Sequence, residues 1–528
     1  MTAAPRRRRG GPSLRKDGAS RPPFRRVLVA NRGEIAVRII RACRDLGMVA
    51  VAVYSDADAG ALHVELADEA IRLGPAPAAE SYLRADAIIE AAVASGAEAI
   101  HPGYGFLSER ASFARAVEDA GLVFVGPRSD VIAGLGDKLA ARRLARDAGV
   151  PIVPGTLEPA AIARADEAAA MIEAARAVGF PLLVKAAAGG GGRGMRRVER
   201  AEDLPAALAA GSAEAASAFG DGRVSVEREI RPARHVEVQL LGDAAGAIVA
   251  VGERDCSLQR RHQKLVEESP APGLTAAERG ALHELAVRVA RAAHLTNAAT
   301  AEFLLDEEHR PWFLEVNTRL QVEHGVTELA AGIDIVVEQF RLAAGERLSD
   351  TVLAAAEAAA KPHRHVIEVR LSAEDPARGF AAAPGRIGQF SLPAGDGVRV
   401  DAGVRPGDRV PPDYDPLVAK LLVVAPSRPT AIERLRDALD RVEITGIQTT
   451  LPFHRFVARN ASFAAGEVSI DWVAEHWNGP ADRAAARQAA NQAAARAAAT
   501  APTPETEPPA MTAWRRAGRE ALLEEWPE

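Results

Sequence analysis

Phe313-Leu-Glu-Val-Asn-Thr-Arg-Leu-Gln-Val-Glu-His324 carries a polar residue at every second position: Glu315, Asn317, Arg319, Gln321 and Glu323. An extended backbone turns alternate side chains to opposite faces, so these five share one side of a strand. Two carboxylates, two amides and a guanidinium are costly to bury unpaired, and the face therefore reads as one that ions or anionic substrates occupy. Glu302, in Ala-Glu-Phe-Leu-Leu, supplies an acid from a strand just upstream. Glu302, Glu315 and Asn317 together form an oxygen-donor set suited to Mg²⁺, which takes few protein ligands and completes its shell with substrate phosphates.

A second segment points the same way. Phe180-Pro-Leu-Leu-Val-Lys185-Ala-Ala-Ala-Gly189-Gly-Gly-Gly-Arg-Gly194-Met is an apolar strand running into a lysine and then a glycine loop. Backbone without Cβ atoms can close over a polyphosphate and aim N–H groups at its oxygens, while the lysine adds a point charge. The lysine precedes the glycines and no Gly-Lys-Ser/Thr follows, so this is not a Walker A loop, and the spacing does not fit a dinucleotide fingerprint. Lysine usage adds weight. Among 65 basic residues only six are Lys, at 16, 138, 185, 264, 361 and 420. A lysine kept against that bias marks a place where a compact ammonium fits and a planar fork does not. Lys138, Lys185 and Lys264 each fall in a motif-like segment and are candidate phosphate and small-anion ligands.

With 528 residues, 48% of them hydrophobic, the chain supports several domains. The net charge of −6 offers no bulk attraction to nucleic acid. Two distant cysteines, Cys43 and Cys256, suit a reducing, cytoplasmic setting, and no apolar run approaches the ~20 residues of a membrane span. Residues 1–23 read as a disordered basic arm. From Phe24 a strand, a helix over Glu34 to Leu46 and a second strand at Val49–Tyr54 make a βαβ start, continued by strands near Ala99–His101 and Val123–Val125. The expected division is an N-terminal domain over 24–126, a connecting segment over 127–152, a small lobe over 153–228, a strand-rich region over 229–475, and an Ala/Pro-rich tail over 476–528 that holds a short amphipathic helix near Ala513–Trp526.

These motifs, in this order, resemble the biotin carboxylase family over roughly residues 24–475. The resemblance is carried by Ala30-Asn-Arg-Gly-Glu-Ile-Ala, His101-Pro-Gly-Tyr-Gly-Phe-Leu-Ser-Glu109, Gly136-Asp-Lys138, the lysine–glycine loop, Glu253-Arg-Asp-Cys-Ser-Leu-Gln-Arg-Arg-His-Gln-Lys264, Glu315 to His324, and Arg370-Leu-Ser-Ala-Glu-Asp-Pro376. It implies an α/β and α+β multidomain fold: a Rossmann-like N-terminal domain, an ATP-grasp module whose 153–228 lobe is a mobile lid, and a C-terminal biotin-carboxylase domain. The implied reaction has bicarbonate attack the γ-phosphate of ATP to give carboxyphosphate, whose CO₂ then carboxylates N1 of biotin. Carried over by motif, Glu302, Glu315 and Asn317 hold two Mg²⁺ (or Mn²⁺). Lys138, Lys185, Gly191, Gly192, Glu227, Arg228, Glu229, Ile230, His235 and His262 line the ATP site, together with Glu302 and Glu315. Lys264, Arg319, Gln321 and Val322 hold bicarbonate, Glu323 is the base, Arg370 stabilises the biotin enolate, and Tyr104 lies near the biotin ring.

The resemblance also implies partners, a biotin carboxyl carrier protein and carboxyltransferase subunits, and a homodimer whose interface positions match Arg38 and Arg41. Gly325 stands where the family commonly has Pro, which is expected to loosen the turn after the base, and Ser372 stands where Asn or Tyr is usual. No methionine adjoins a lysine, so there is no Met-Lys-Met biotinylation site, and the carrier is expected on another polypeptide. Two rival readings share the phosphate and metal ligands: a different ATP-grasp ligase, such as a purine-pathway carboxylase or a carbamoyl-phosphate-type enzyme, and a non-catalytic nucleotide-binding scaffold.

Overall fold

The computed structural model describes residues 22–477 apart from 163 and 188–194, together with 484 and 488. Gly191, Gly192, the basic arm up to residue 21 and the tail helix near 513–526 lie outside the described residues.

Strand β1 (Arg26–Val29) has Val27, Leu28 and Val29 wholly buried, as a strand covered on both faces must. It pairs in parallel with β2 (Val49–Ser55) on one side and β4 (Ala99–His101) on the other. Strands β3 (Glu69–Gly74) and β5 (Val123–Phe124) complete a parallel sheet of order β3-β2-β1-β4-β5. The chain runs outward from β1 and returns beside it, so the loops after β1 and β4 diverge at a topological switch point, where open α/β sheets bind ligands. Those loops carry Asn31 and Arg32, leading into the helix Gly33–Asp45 whose first turn holds Glu34, and Pro102–Ser108. Asn31 ties them together, its Nδ2 donating to the carbonyls of Pro102 (2.7 Å) and Tyr104 (2.8 Å). Gly103 has φ +62 and leaves no room for a Cβ, which would stand 2.9 Å from Asn31 Nδ2.

A second sheet is small and antiparallel, with order β6-β9-β7-β8: β6 (Ala160–Ala161), β7 (Leu182–Ala186), β8 (Arg196–Val198) and β9 (Arg223–Arg228). Helices Ala165–Val178 and Leu204–Phe219 close a core of its own around Leu182, Val184, Leu208, Val224 and Val226.

The third sheet is antiparallel throughout and has eight strands: β10 (Arg234–Gly242), β11 (Ile248–Arg260), β12 (Gln263–Ser269), β13 (Asn297–Leu305), β14 (Pro311–Asn317), β15 (His365–Ser372), and the strands Leu417–Ala425 and Val398–Ala402. Its order is β14-β13-β10-β11-β12-β15, then Leu417–Ala425, then Val398–Ala402. One expectation fails here. The alternating stretch is a strand only as far as Asn317; residues 318–323 form a turn, and a helix begins at His324. β14 ends the sheet, and its free side meets backbone only at Phe313, which bridges Ile152 and donates to the Pro151 carbonyl at 2.8 Å; the chain beyond Asn317 is held by side-chain bonds. Arg319 donates to Gln321 Oε1 (3.0 Å) and to Asn317 Oδ1 (3.3 Å), and His324 Nδ1 bonds the Gln321 carbonyl (2.8 Å).

Candidate active site

A cleft of about 1430 Å³ opens between the parallel sheet, the small sheet and the face of the large one. Lys138, Lys185, Glu227 to Ile230, His235, His262, Lys264, Glu302, Glu315, Asn317, Arg319, Gln321, Val322, Glu323, Arg370 and Tyr104 all line it.

Strand register builds its floor. Glu302 on β13 lies opposite Glu237 on β10 and Glu315 on β14, while Thr300 lies opposite Asn317. At the centre stands Lys264, near the start of β12. Its ammonium donates to Glu237 (2.5 Å), Glu302 (2.9 Å) and Glu323 (2.7 Å), so that all three N–H directions meet a carboxylate. Burial would strip the proton from Lys264, but Glu237, Glu302 and Glu323 hold its pKa well above the ordinary value. Glu302 is further engaged by Asn317 Nδ2 (2.8 Å) and His235 Nε2 (2.9 Å).

Toward the small sheet, Glu227 at the end of β9 accepts from Lys185 and, at 2.9 Å, from Arg142. Lys138, which opens the helix Lys138–Asp147, pairs with Glu315 at 2.5 Å. Two lysines and an acidic strand pair thus face one another across the cleft. His262 sits at the exposed tip of the β11–β12 hairpin with φ +64, held there by the tight turn.

On the other flank Arg370, on β15, joins two acids. Its Nε donates to Glu267 (2.6 Å) and its Nη2 to Glu323 (2.9 Å). Burial would raise the Glu323 carboxyl, yet Lys264, then Arg370 and Arg254, keep it well below the usual carboxylate range and hence ionised. Glu267 has one oxygen without a partner, and burial pushes it up to about 7. Tyr104 reaches in from the loop after β4 and donates to Glu34.

Comparison with known proteins places this arrangement. The biotin carboxylase N-terminal domain model matches residues 23–132, the ATP-binding domain model of the carbamoyl-phosphate synthase large chain matches 137–351, and the biotin carboxylase C-terminal domain model matches 368–475. A biotin carboxylase of Halalkalibacterium halodurans is 48% identical over 453 residues, covering 86% of this chain and 98% of its own. The chain belongs to the biotin carboxylase family. The biotin-dependent acyl-coenzyme A carboxylase alpha3 subunit of Mycobacterium leprae is 47% identical over 86% of this chain and 75% of its own. The biotin carboxylase domain dimer of the Hydrogenobacter thermophilus 2-oxoglutarate carboxylase, solved with MgADP, ADP and bicarbonate, superposes with a TM-score of 0.80 at 43% identity, covering 86% of this chain and 98% of that one.

Read as a member of that family, the chain shows where residue patterns fell short. Glu237, Glu267, Arg254 and Lys420 are part of the site's wiring and were not singled out. Arg254 is wholly buried and donates to Glu237 (2.6 Å), Gln239 (2.9 Å) and Thr327 (2.7 Å). The alternation His235-Val-Glu237-Val-Gln239 was available as a signal, because it mirrors the one at 315–323. One expectation is corrected: Gly325 does not loosen a turn, being buried in the first turn of the helix His324–Ala331, where a Cβ would come within 2.9 Å of Leu422. Of the two arginines matched to interface positions, Arg38 is bonded within the chain to Glu328 (2.8 Å) and Asp334 (2.6 Å), and Arg41 is exposed.

Glu374, also in the cleft wall, carries a pH signature. Burial, reinforced by Asp415, pushes its carboxyl from 4.5 to about 7. Between these values the fold keeps a proton that the unfolded chain has released, so the contribution of Glu374 to stability is whole below 4.5 and is lost as pH rises through about 7. Glu374→Gln is expected to gain thermal stability relative to the parent at pH 8 and to gain none at pH 4.5. Melting curves at the two pH values check this, and an equal shift at both contradicts it.

Proposed function

We infer that the chain is an ATP-dependent biotin carboxylase. The observation that carries this reading is the unbroken line of contacts from the acidic strand pair through Lys264 to Glu323 and Arg370, which joins phosphate-side, bicarbonate-side and biotin-side residues in one cleft.

Lys138 and Lys185 take the nucleotide phosphates. Glu302, Glu315 and Asn317 are oxygen donors on adjacent, register-matched strands and fit a hard divalent cation; such ions, when bound, neutralise charge on the transferring phosphoryl group. Bicarbonate sits between Lys264 and Arg319, with Gln321 and Val322 beside it. In the resting arrangement Glu323 is a weak base, because Lys264 and Arg370 both donate to it. An anion that draws off those donors raises its basicity as the substrate arrives, which suits the removal of the bicarbonate proton. Attack on the γ-phosphate breaks its bond to ADP and gives carboxyphosphate, which splits into CO₂ and phosphate; the phosphate takes the N1 proton of biotin, and Arg370 stabilises the resulting enolate as CO₂ adds to N1. The unit over 153–228 closes as a lid that keeps water from the intermediate. Met-Lys-Met is missing from residues 1–528, so the biotin belongs to a carrier domain outside them, and carboxyltransferase subunits receive the product. The chain works as a homodimer, in the reducing cytoplasm that its two free, buried cysteines suit. Among the described residues no helix is long and apolar enough to cross a membrane.

Purified chain is expected to hydrolyse ATP faster when free biotin and bicarbonate are supplied together. ATP turnover indifferent to biotin would favour a carbamoyl-phosphate-type ligase, the reading to which the 137–351 match alone is open. Glu315→Gln tests the cation assignment. Its ion pair with Lys138 is partly exposed, so folding should change little. Phosphoryl transfer is expected to fall on the order of 10²-fold, with only partial recovery at high Mg²⁺. An unchanged rate and Mg²⁺ dependence would remove the assignment.

A further inference from the structure

Among the described residues Lys420 is the only one of the six lysines that is fully buried, and the functional reading above assigns it no step. It lies on the strand Leu417–Ala425, opposite Arg370 on one side and Asp401 on the other, and its side chain is 0% exposed. In a chain that writes positive charge as arginine, a wholly buried lysine has been kept for its shape. Its ammonium donates to the carbonyl of Val322 at 2.6 Å and lies 3.2 Å from Glu34 Oε1. Glu34 in turn accepts from the hydroxyl of Tyr104. Glu34, Tyr104, Val322 and Glu323 line the cleft, and Lys420 stands behind them.

Two features of this contact go beyond ordinary core pairing. The carbonyl of Val322 and the N–H of Glu323 belong to one planar peptide unit, so fixing that oxygen fixes the start of Glu323. Glu323 also follows an edge strand that ended at Asn317, so no ladder of backbone bonds holds this turn. The second feature is continuity: Tyr104, Glu34, Lys420 and Val322 form one chain of contacts from the loop after β4 to the turn before Glu323. Removing the ammonium proton is opposed locally. Burial would lower the Lys420 pKa, but Glu34, Glu368 and Asp401 together raise it, against Arg399.

We propose that Lys420 is a positioning residue that sets the Val322–Glu323 peptide for bicarbonate and couples it, through Glu34, to Tyr104 at the biotin end of the cleft. The proposal rests on the placement of bicarbonate beside Arg319 and Val322 given above. It predicts that losing Lys420 damages the use of bicarbonate before it damages the use of ATP.

The test is bicarbonate-dependent ATP cleavage without biotin, in carbonate-depleted buffer, by Lys420→Met and Lys420→Gln. Displacement of a reacting group by about 1 Å is enough to cost on the order of 10²-fold. For Lys420→Met the KM for bicarbonate is expected to rise at least about tenfold, with the KM for ATP and nucleotide affinity changed less than about twofold. Lys420→Gln keeps a donor for the Val322 carbonyl without the charge. It is expected to fall between parent and methionine variant in bicarbonate KM, and it carries the test if the methionine variant does not fold. A folded variant with unaltered bicarbonate KM, or with ATP and bicarbonate parameters shifted alike, overturns the proposal. Arg319→Ala serves as the reference. If it too leaves bicarbonate KM unchanged, the bicarbonate placement is what has failed; if it raises that KM while both Lys420 variants do not, the coupling alone is wrong.

Discussion

Lys264→Arg is expected to lose bicarbonate-dependent ATP cleavage by roughly 10²–10³-fold while nucleotide affinity changes little. The charge is preserved, so the loss isolates shape. An ammonium directs three donors at Glu237, Glu302 and Glu323, with contacts of 2.5, 2.9 and 2.7 Å. A guanidinium is planar and wider, and cannot reach three acids arranged around a point without displacing one of them. Breaking a buried pair in this way leaves an uncompensated carboxylate, at a cost of about 3–5 kcal/mol, so a lower melting temperature should accompany the kinetic defect. Initial rates against bicarbonate, with a separate nucleotide titration, decide the matter. Near-normal kinetics would show that Lys264 is not at the reacting centre.

Arg370→Ala is expected to lose carboxybiotin formation by about 10²–10³-fold, the typical effect of removing a donor to a developing oxyanion. Cleavage of ATP without biotin should retain a much larger fraction of its rate, because Glu323 keeps its bond to Lys264. The contacts to Glu267 and Glu323 mean that this cleavage is also expected to fall somewhat: the alanine variant removes from Glu267 the cation that it shares with Glu323. Both activities must therefore be measured on one preparation. A parallel fall would assign Arg370 to phosphate chemistry or to folding, and its contact with the biotin oxygen would have to be given up.

How much of this was legible in the chain depended on how local the signal was. The βαβ start was readable because buried parallel strands are near-continuous apolar runs, as at Val27–Val29. The acids of β13 and β14 were readable because alternation survives in sequence whichever neighbour a strand takes. The same alternation overreached past Asn317, where Arg319, Gln321 and Glu323 keep to the cleft through a turn and not through a strand. Glu237 and Glu267 were missed because their meaning lies in register: Glu237 matters through Glu302 across the ladder, and Glu267 through Arg370 about a hundred residues away in sequence. Lys420 carried a usable signal in its rarity. Its surroundings, an Ala-Lys-Leu-Leu run, look like ordinary core, and only the fold brings Glu34 and Val322 to it.

The eight-stranded sheet limits how this protein can be cut or recombined. The matched ATP-binding and C-terminal regions meet between residues 351 and 368, an inviting place to divide the chain. Yet β12, from the first region, pairs with β15 at the start of the second, Val266 opposite Val369 and Ser269 opposite Val366. A fragment ending near 351 would present β12, with its buried Leu265 and Val266, as a bare edge, a template for edge-to-edge aggregation. A cut before Arg26 or after His476 leaves this sheet whole, whereas one at the seam that sequence comparison draws opens it.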